Sequence, residues 1–412
     1  MKRITGLYVL LIAAQFAHAQ LADSLQALAQ RMGVAGLSVV TVEKGELSGV
    51  WHTGLRDVER GLPVTDSTRF RVASISKLVT VTGLMLLYDE GKFDLDDDVS
   101  AYLGFPLRNP AYPDVPITFR MLASHTSSIR DGSAYDGFLG DTYRAAVPVP
   151  VKELFVPGGS HFSEDMWQAH PPGTYFFYCN ANYGLIGTLI ERMSGQRFDV
   201  FMRDRLLKPM GIGGSYAVAD LDPIAQLAVL YRKTDGKWAP QADHFQGKKP
   251  EPRNLEGYRP GTNGFVFGPQ GGVRISALEL TRILQLHLGA GKFEGKRFLS
   301  KKAIRLMHQP VWTYDGQNGE SYHNLFTCWG LGVQITQNLP GGDVIWPGVA
   351  LRGHLGEAYG LLSGLFFDTK TRSGFIFMLN GWDNPEKGTY SSVYRVEEEI
   401  IRMVREAVFF RE

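Results

Sequence analysis

The stretch that decides the fold is residues 74–91, which read SISKLVTVTGLMLLYDEG. A hydroxyl at Ser74 and an amine at Lys77 are three residues apart, so both lie on one face if the segment is helical. The run from Leu78 to Tyr88 is apolar on nearly every face, which predicts a buried helix, and Gly91 is a natural end for it. The sequence therefore predicts a lysine beside a serine at the start of a buried helix.

Ser74 and Lys77 are candidates for a nucleophile and its base. A serine hydroxyl is a weak nucleophile until a neighbouring base takes its proton, and a lysine can be that base where burial favours its neutral form. At a helix start, free N–H groups and the helix dipole favour a developing oxyanion. A chain of this length contains about one or two Ser-x-x-Lys motifs by chance, so neighbouring motifs have to decide whether this one is catalytic.

Two further segments carry polar groups suited to the same chemistry. In residues 172–180 (PGTYFFYCN), Tyr178 and Asn180 are two apart and can point the same way, so that a phenol relays a proton and an amide holds a carbonyl or the lysine. In residues 353–357 (GHLGE), His354 has glycines on both sides, as a strand needs where a substrate backbone lies against it. The structural alternatives are an aromatic core segment and a histidine at a strand start.

Strands are predicted at both ends of the chain, with helices between them. The predicted strands are residues 36–43, 47–54, 329–336, 360–367 and 374–380. A closing helix is predicted at about 391–407. We therefore expect an α/β (α+β) fold in which an antiparallel sheet, built from residues 20–80 and 265–412, is flanked by helices. A mostly helical domain, residues 81–264, is inserted, and the active site lies between the two domains.

Composition and the N-terminus indicate an exported globular protein. The 412 residues are 44% hydrophobic and carry a formal net charge of +1, so nothing suggests nucleic-acid binding. Residues 1–19 have a basic start, a short apolar run and a small-x-small end, as signal peptides do; the alternative is an N-terminal helix of the fold. We expect a periplasmic or secreted protein cleaved after Ala19, without a membrane span or lipid anchor. Cys179 and Cys328 could pair in an oxidising compartment, but we favour two unpaired, buried thiols.

In their order along the chain, these segments resemble those of the β-lactamase-like serine hydrolases. That family includes class C β-lactamases, penicillin-binding proteins, D-aminopeptidases and related esterases, and the likeness covers nearly the whole mature chain. Besides the three motifs, the similar segments are residues 70–77 (FRVASISK), 90–98 (EGKFDLDDD), 121–128 (MLASHTSS) and 271–276 (GGVRIS). Cys179 stands where the family commonly has a serine.

The resemblance implies a role for each motif residue. Ser74 would attack the substrate and be acylated, Lys77 would be the general base, and Tyr178 would share proton transfer to the leaving group. Asn180 would position the substrate amide, and the N–H groups of Ser74 and Glu357 would form an oxyanion hole. The resemblance implies no metal and no cofactor, and a small-molecule, peptide or ester substrate; it leaves the oligomeric state open.

The third motif departs from part of the family. Asn180, His354, Gly356 and Glu357 are the expected substrate-binding residues, but His354 stands where β-lactamases and D,D-carboxypeptidases usually carry lysine. A histidine is mostly neutral at pH 7, so the sequence does not favour substrates that need a fixed cation for their carboxylate. Family members with His-x-Gly include D-aminopeptidases and esterases, and Glu357 could hold a substrate ammonium.

The sequence thus predicts an exported serine hydrolase that cleaves an amide or ester through an acyl-enzyme. The first alternative is a true β-lactamase or D,D-peptidase. The second is not an enzyme: a protein that binds peptidoglycan fragments or β-lactams without turnover. Specificity is expected to reside in the loops at residues 133–170 and 309–347.

Overall fold

The computed structural model describes residues 18–409. The predicted signal peptide lies outside the described residues except for its last two positions. The helices are α1 (18–31), α2 (Ile75–Asp89), α3 (Ser100–Leu103), α4 (Phe119–Ala123), α5 (Ala134–Arg144), α6 (Lys152–Phe155), α7 (Ala181–Ser194), α8 (Phe198–Met202), α9 (Ala277–Leu288), α10 (Lys301–His308) and α11 (Arg395–Val404). The strands are β1 (Gly36–Glu43), β2 (Glu46–Asp57), β3 (Leu62–Pro63), β4 (Arg69–Arg71), β5 (Leu230–Thr234), β6 (Lys237–Ala242), β7 (Arg274–Ser276), β8 (Lys292–Phe293), β9 (Lys296–Arg297), β10 (Trp312–Thr313), β11 (Cys328–Trp329), β12 (Gln334–Ile335), β13 (Arg352–Ala358), β14 (Leu361–Asp368), β15 (Ser373–Leu379) and β16 (Gly381–Trp382).

Nine strands form one antiparallel sheet that joins both ends of the chain. Their order is β10-β11-β12-β13-β14-β15-β1-β2-β3. Strand β1 lies between β2 and β15, so that Leu37 pairs with Leu379. The N-terminal hairpin and the C-terminal strands therefore build a common sheet, as the sequence predicts.

Helices cover both faces of this sheet. Alternate residues of a strand face opposite sides, and here each side enters a different core. Val40 and Ile376 belong to the core that contains α2, whereas Val39 and Phe377 pack with α1 and α11. Strand β13 contacts both cores, through Ala358 on one side and Leu355 on the other, and it borders the site described below.

Helix α2 is buried on every face. All residues from Ile75 to Leu87 are buried, including the charged Lys77, which confirms the prediction made from the apolar run. The helix ends at Asp89, and Gly91 follows with φ +68°, in the left-handed region that favours glycine. Its N-terminus meets β13 and α7, so the start of the helix lies where three elements converge.

Strands β5 and β6 form a hairpin that the sequence analysis did not predict. Asp235 and Gly236 connect them with φ values of 50° and 74°, the geometry of the tight turns that Asp-Gly favours. Strand β5 pairs in parallel with β16, and its Tyr231 is fully buried. This segment therefore forms a small second sheet within the region expected to hold helices and loops.

Two predicted elements are shorter than expected. The strand predicted at 329–336 is the pair β11 and β12, because Gly332 has φ +69° and turns the chain between them. The closing helix begins at Arg395, and its α-helical part ends at Val404, followed by a π turn over Arg405–Phe409. No helix within residues 18–409 is long and apolar enough to cross a membrane.

Candidate active site

A sharp strand-to-helix turn presents Ser74 at the start of α2. Ala73, just before it, has φ +47°, a conformation that costs a non-glycine residue roughly 1–3 kcal/mol. The Ser74 N–H group makes no hydrogen bond to any residue from 18 to 409. The turn thus places the Ser74 hydroxyl and the free Ser74 N–H group together at the start of α2.

The Lys77 amine is surrounded by three oxygen atoms. Its Nζ lies 3.0 Å from Ser74 Oγ, 2.8 Å from Asn180 Oδ1 and 2.9 Å from the Gln270 carbonyl oxygen. The side chain is fully buried, with 0% of its surface exposed. Burial lowers the pKa of Lys77 to about 7, although the charge of Asp131 acts in the opposite direction. A neutral amine is therefore available near pH 7, in contact with the serine.

Tyr178 closes the other side of this group. The centroid of its ring lies 4.8 Å from Lys77 Nζ. The ring stacks on that of His125, with 4.4 Å between the two centroids. Burial raises the pKa of the Tyr178 phenol above its ordinary value, against the opposing effect of a hydrogen bond with Ser74. At neutral pH Tyr178 is therefore a phenol that can donate a proton, which makes Lys77 the better base of the two.

Asn180 is fixed from behind by Asp131, a residue that the sequence analysis did not single out. One carboxylate oxygen of Asp131 accepts hydrogen bonds from the Asn180 backbone and side-chain nitrogens, both at 2.9 Å. The other oxygen accepts from the Ala181 N–H at 2.9 Å and from Cys179 Sγ at 3.3 Å. Asp131 thereby caps α7, whose first N–H groups lack partners within the helix.

Strand β13 can approach Ser74 because residue 356 is glycine. A Cβ atom there would lie 2.5 Å from the Val72 carbonyl oxygen and 3.2 Å from the Ser74 nitrogen. Any side chain at Gly356 would therefore push the strand away from the helix start. The close approach brings the backbone of Glu357, the next residue, to the edge of the same site.

His354, two residues earlier, points into the protein. It is 1% exposed, and its Nδ1 donates a hydrogen bond to the Leu355 carbonyl oxygen at 2.5 Å. Its Nε2 has no hydrogen-bond partner within residues 18–409. Burial lowers the pKa of His354 to about 3, and the positive charge of Lys77 acts in the same direction. His354 is thus a neutral side chain behind the wall of the site, 6.2 Å from the ring of Tyr178 between centroids.

A cleft of about 330 Å³ opens in front of Ser74. Its lining residues are Ser74, Tyr178, Asn180, Tyr322, Leu325, Phe326, Leu355, Gly356, Glu357, Leu362, Lys387, Ser392, Val393, Tyr394 and Glu397. Glu357 and Glu397 are its two carboxylates, contributed by β13 and α11. Burial raises the pKa of Glu397 to about 8, and the charge of Glu357 acts in the same direction, whereas Lys387 opposes it. The cleft lining is thus mainly apolar, with the carboxyl groups of Glu357 and Glu397 and the amine of Lys387 among its polar groups.

The structure brings most of the predicted site residues together. Ser74, Lys77, Tyr178 and Asn180 form one contact group, and Gly356 and Glu357 border the same cleft. His354 lies next to this group but is not among the residues that line the cleft. The two cysteines are both unpaired and buried.

Sequence reasoning missed four residues of the site. They are Asp131, His125, Gln270 and Tyr322. His125 Nδ1 accepts the Cys179 N–H at 2.9 Å, and Tyr322 lies in the cleft wall. Of the two loops expected to set specificity, residues 309–347 supply three lining residues, whereas residues 133–170 supply none to this cleft. Tyr322 is the tyrosine of a second Tyr-x-Asn motif, and His125 lies in residues 121–128, one of the segments that resemble the family. Asp131 and Gln270 had no distinguishing pattern.

Known proteins share both the sequence pattern and the fold. The sequence model of the family described as Beta-lactamase matches residues 21–398. The chain is 29% identical over 364 residues to penicillin-binding protein 4 of Amycolatopsis lactamdurans, covering 85% of this chain and 82% of that protein. It is 25% identical over 343 residues to a D-aminopeptidase of Gluconobacter oxydans, covering 81% of this chain and 55% of that protein.

Solved structures with the same fold include hydrolases and penicillin-binding protein homologues. The octameric penicillin-binding protein homologue from Pyrococcus abyssi gives a TM-score of 0.68 at 22% identity, covering 94% of this chain and 76% of that one. A D-amino acid amidase from Ochrobactrum anthropi SV3, complexed with L-phenylalanine amide, gives 0.64 at 20% identity, covering 96% and 98%. These similarities concern the fold.

Proposed function

Because the chain belongs to the beta-lactamase family of serine hydrolases, we propose that it cleaves an amide or ester bond through an acyl-enzyme formed on Ser74. The observation that carries this proposal is the 3.0 Å contact between Lys77 Nζ and Ser74 Oγ in a fully buried environment. An amine whose pKa is about 7 can accept the serine proton at neutral pH. A solvated lysine, protonated up to about pH 10, could not.

Acylation begins when Ser74 Oγ attacks the substrate carbonyl carbon and its proton passes to Lys77 Nζ. The new C–O bond makes a tetrahedral oxyanion. When that intermediate collapses, the bond to the leaving nitrogen or oxygen breaks. Tyr178, a neutral phenol, donates a proton to that atom and recovers one from the Lys77 ammonium. Water then attacks the acyl ester, releases the carboxylic acid and restores Ser74.

The oxyanion would be held by two backbone N–H groups. The Ser74 N–H has no partner within residues 18–409, and Gly356 allows β13 to lie against it. In this proposal the second donor is the N–H of Glu357. Donors fixed in this way before the reaction stabilise the charge that develops in the transition state.

The groups around the cleft favour substrates whose binding does not depend on a carboxylate held by a fixed cation. His354 is neutral and buried, so it offers no fixed cation beside Tyr178. The lysine of the cleft lining, Lys387, is exposed, and its Nζ lies over the Tyr394 ring, 3.8 Å from the ring centroid. Glu357 and Glu397 instead present carboxyl groups to the cleft, and a bound ammonium would favour the ionised form of Glu397. The relatives named D-aminopeptidase and D-amino acid amidase are consistent with such substrates. We therefore propose amides or esters of amino acids with a free amino group as the substrate class.

Two alternatives predict different behaviour in solution. A true β-lactamase or D,D-peptidase would prefer nitrocefin or D-alanyl-D-alanine peptides. A binding protein without turnover would be acylated slowly or not at all. The 3.0 Å contact between Lys77 and Ser74 favours acylation of Ser74 over binding without a covalent bond. Release of the product acid would distinguish turnover from a stable acyl-enzyme.

We also propose that the protein is exported and begins at Gln20, because residues 1–19 have the anatomy of a signal peptide. N-terminal sequencing of the exported protein, with allowance for pyroglutamate, tests this proposal. Functional protein that retains Met1 would contradict it.

A fluorophosphonate probe tests the catalytic proposal directly. It should modify Ser74, as mapped by intact-mass and peptide mass spectrometry, and Ser74→Ala should remove the labelling. Ser67→Ala is the matched control, because Ser67 is an exposed serine of the same segment. Labelling that persists in Ser74→Ala would refute the assignment. A panel of D-phenylalanine amide, a nitrophenyl ester and nitrocefin then ranks the substrate classes, and nitrocefin turned over fastest would favour the β-lactamase alternative.

A further inference from the structure

Asp131 contacts the site without reaching the cleft. Its carboxylate is not among the groups that line the cleft, yet it accepts hydrogen bonds from three consecutive residues, 179–181. One of these bonds comes from the side-chain nitrogen of Asn180, whose side-chain oxygen faces Lys77. Asp131 is therefore one residue removed from the Lys77 amine.

We propose that Asp131 is a positioning residue that fixes the Asn180 amide with its oxygen toward Lys77 and thereby directs the lone pair of the Lys77 amine at the Ser74 hydroxyl. This inference rests on the proposed roles of Ser74 and Lys77. It assigns to Asp131 a task that neither the motifs nor the cleft geometry alone would suggest.

The donors and acceptors around Lys77 Nζ determine the direction of its lone pair. A neutral amine has two N–H groups and one lone pair. Of the three oxygens around Lys77 Nζ, the Gln270 carbonyl and Asn180 Oδ1 can only accept hydrogen bonds. They take the two N–H groups, so the lone pair points to the third oxygen, that of Ser74. The serine hydroxyl then donates to the amine, which is the orientation needed for proton transfer.

The orientation of the Asn180 amide decides whether this arrangement holds. If the amide were turned over, its NH₂ group would face Lys77 and would compete with Ser74 for the lone pair. Asp131 excludes that state, because an ionised carboxylate only accepts, and a turned amide would set an oxygen against it. The backbone bonds from Asn180 and Ala181 hold the carboxylate in place.

The charge of Asp131 provides a second, separable effect. Its negative charge raises the pKa of Lys77 against the larger effect of burial. Removing the charge should therefore shift the Lys77 titration to lower pH, whereas loss of a purely structural contact should not.

The experiment measures the rate of fluorophosphonate labelling of Ser74 from pH 5 to pH 9 in Asp131→Asn. At pH 9, where Lys77 is neutral in both proteins, labelling should fall about ten- to a hundred-fold. The acid limb of the profile should move to lower pH. Asp136→Asn is the matched control, since it removes an exposed carboxylate from nearby α5 and should change neither quantity. NMR of ¹³C-labelled lysine, with the Lys77 signal assigned by its loss in Lys77→Ala, follows the titration independently of labelling.

Asp131→Glu keeps the charge and both acceptor oxygens, so it should retain the wild-type acid limb. A folded Asp131→Asn protein with the wild-type rate and Lys77 titration would overturn the proposal. So would an equal loss of rate at every pH with the titration unmoved, because that outcome describes structural damage only. If Asp131→Asn does not fold, Asp131→Glu tests the proposal instead: a folded Asp131→Glu protein whose acid limb is shifted from the wild-type pH would also overturn it. If the wild type is not labelled at Ser74, the proposed function fails, while the Lys77 titration still tests Asp131.

Discussion

Replacing Gly356 with alanine should separate β13 from the nucleophile. The added Cβ would lie 2.4 Å from Ser363 Oγ, 2.5 Å from the Val72 carbonyl oxygen and 3.2 Å from the Ser74 nitrogen. Ser363 could rotate away, but the other two atoms belong to the backbone. The strand as a whole therefore has to move, and Glu357 moves with it.

Two quantities follow from that displacement. Forcing one methyl group into a packed site costs about 1–3 kcal/mol of unfolding free energy. Displacing one oxyanion donor costs about a hundred- to a thousand-fold in rate. If Glu357 supplies such a donor in the proposed mechanism, Gly356→Ala should lose far more activity than its stability loss explains.

Urea unfolding and fluorophosphonate labelling of Ser74 measure the two effects separately. Gly137→Ala is the matched control: it makes the same chemical change in α5, where a Cβ would meet no heavy atom within 4 Å. It should stabilise the protein by up to about 1 kcal/mol, because alanine is the better helix former, and leave labelling unchanged. If Gly356→Ala keeps the wild-type stability and labelling rate, the close packing of β13 on Ser74 does not serve catalysis.

Three further outcomes are expected. Lys77→Ala and Tyr178→Phe should each lower turnover at least about a hundred-fold, with the double variant little worse than the poorer single one, because residues that act as a unit are not additive; losses that multiply would contradict a shared proton path. The labelling rate of the wild type should rise as pH increases through about 7, where Lys77 loses its proton, with no second limb from His354 above pH 5; a single limb near pH 10 would mean that Lys77 is solvated. Glu397→Gln should flatten the pH dependence of stability, because burial raises the pKa of Glu397 from 4.5 to about 8. Between these values the folded state keeps a proton that the unfolded state releases, so the unfolding free energy of the wild type falls as pH rises. If urea unfolding shows the same change in unfolding free energy between pH 5 and pH 9 in both proteins, this expectation is wrong.

Local patterns predicted the centre of the site. The contact between Ser74 and Lys77 follows from helical spacing, and the burial of α2 follows from its continuous apolar run. Strands at both chain ends were visible as alternating or apolar segments. These features depend on residues near each other in sequence, which is why a single chain reveals them.

Contacts between distant loops could not be predicted in the same way. Asp131 reaches Asn180 from a loop 49 residues earlier, and no spacing links the two. Gln270 contributes a backbone carbonyl, for which its residue type gives no signal. The inward direction of His354 depends on the register of β13 beside β14, where it pairs with Leu365. In contrast, Asp235-Gly236 is a dipeptide typical of tight hairpin turns, so the β5–β6 hairpin was predictable from sequence.

The pairing of Leu37 with Leu379 has a consequence for how the protein is made. Strand β1 is synthesised first among the strands of the large sheet, but its neighbour β15 emerges from the ribosome more than three hundred residues later. Contacts so distant in sequence slow folding, and until β15 arrives one edge of β1 has no partner and can pair with another chain. Completion of the large sheet is therefore a late event, and a nascent chain that stops short of β15 is prone to aggregate.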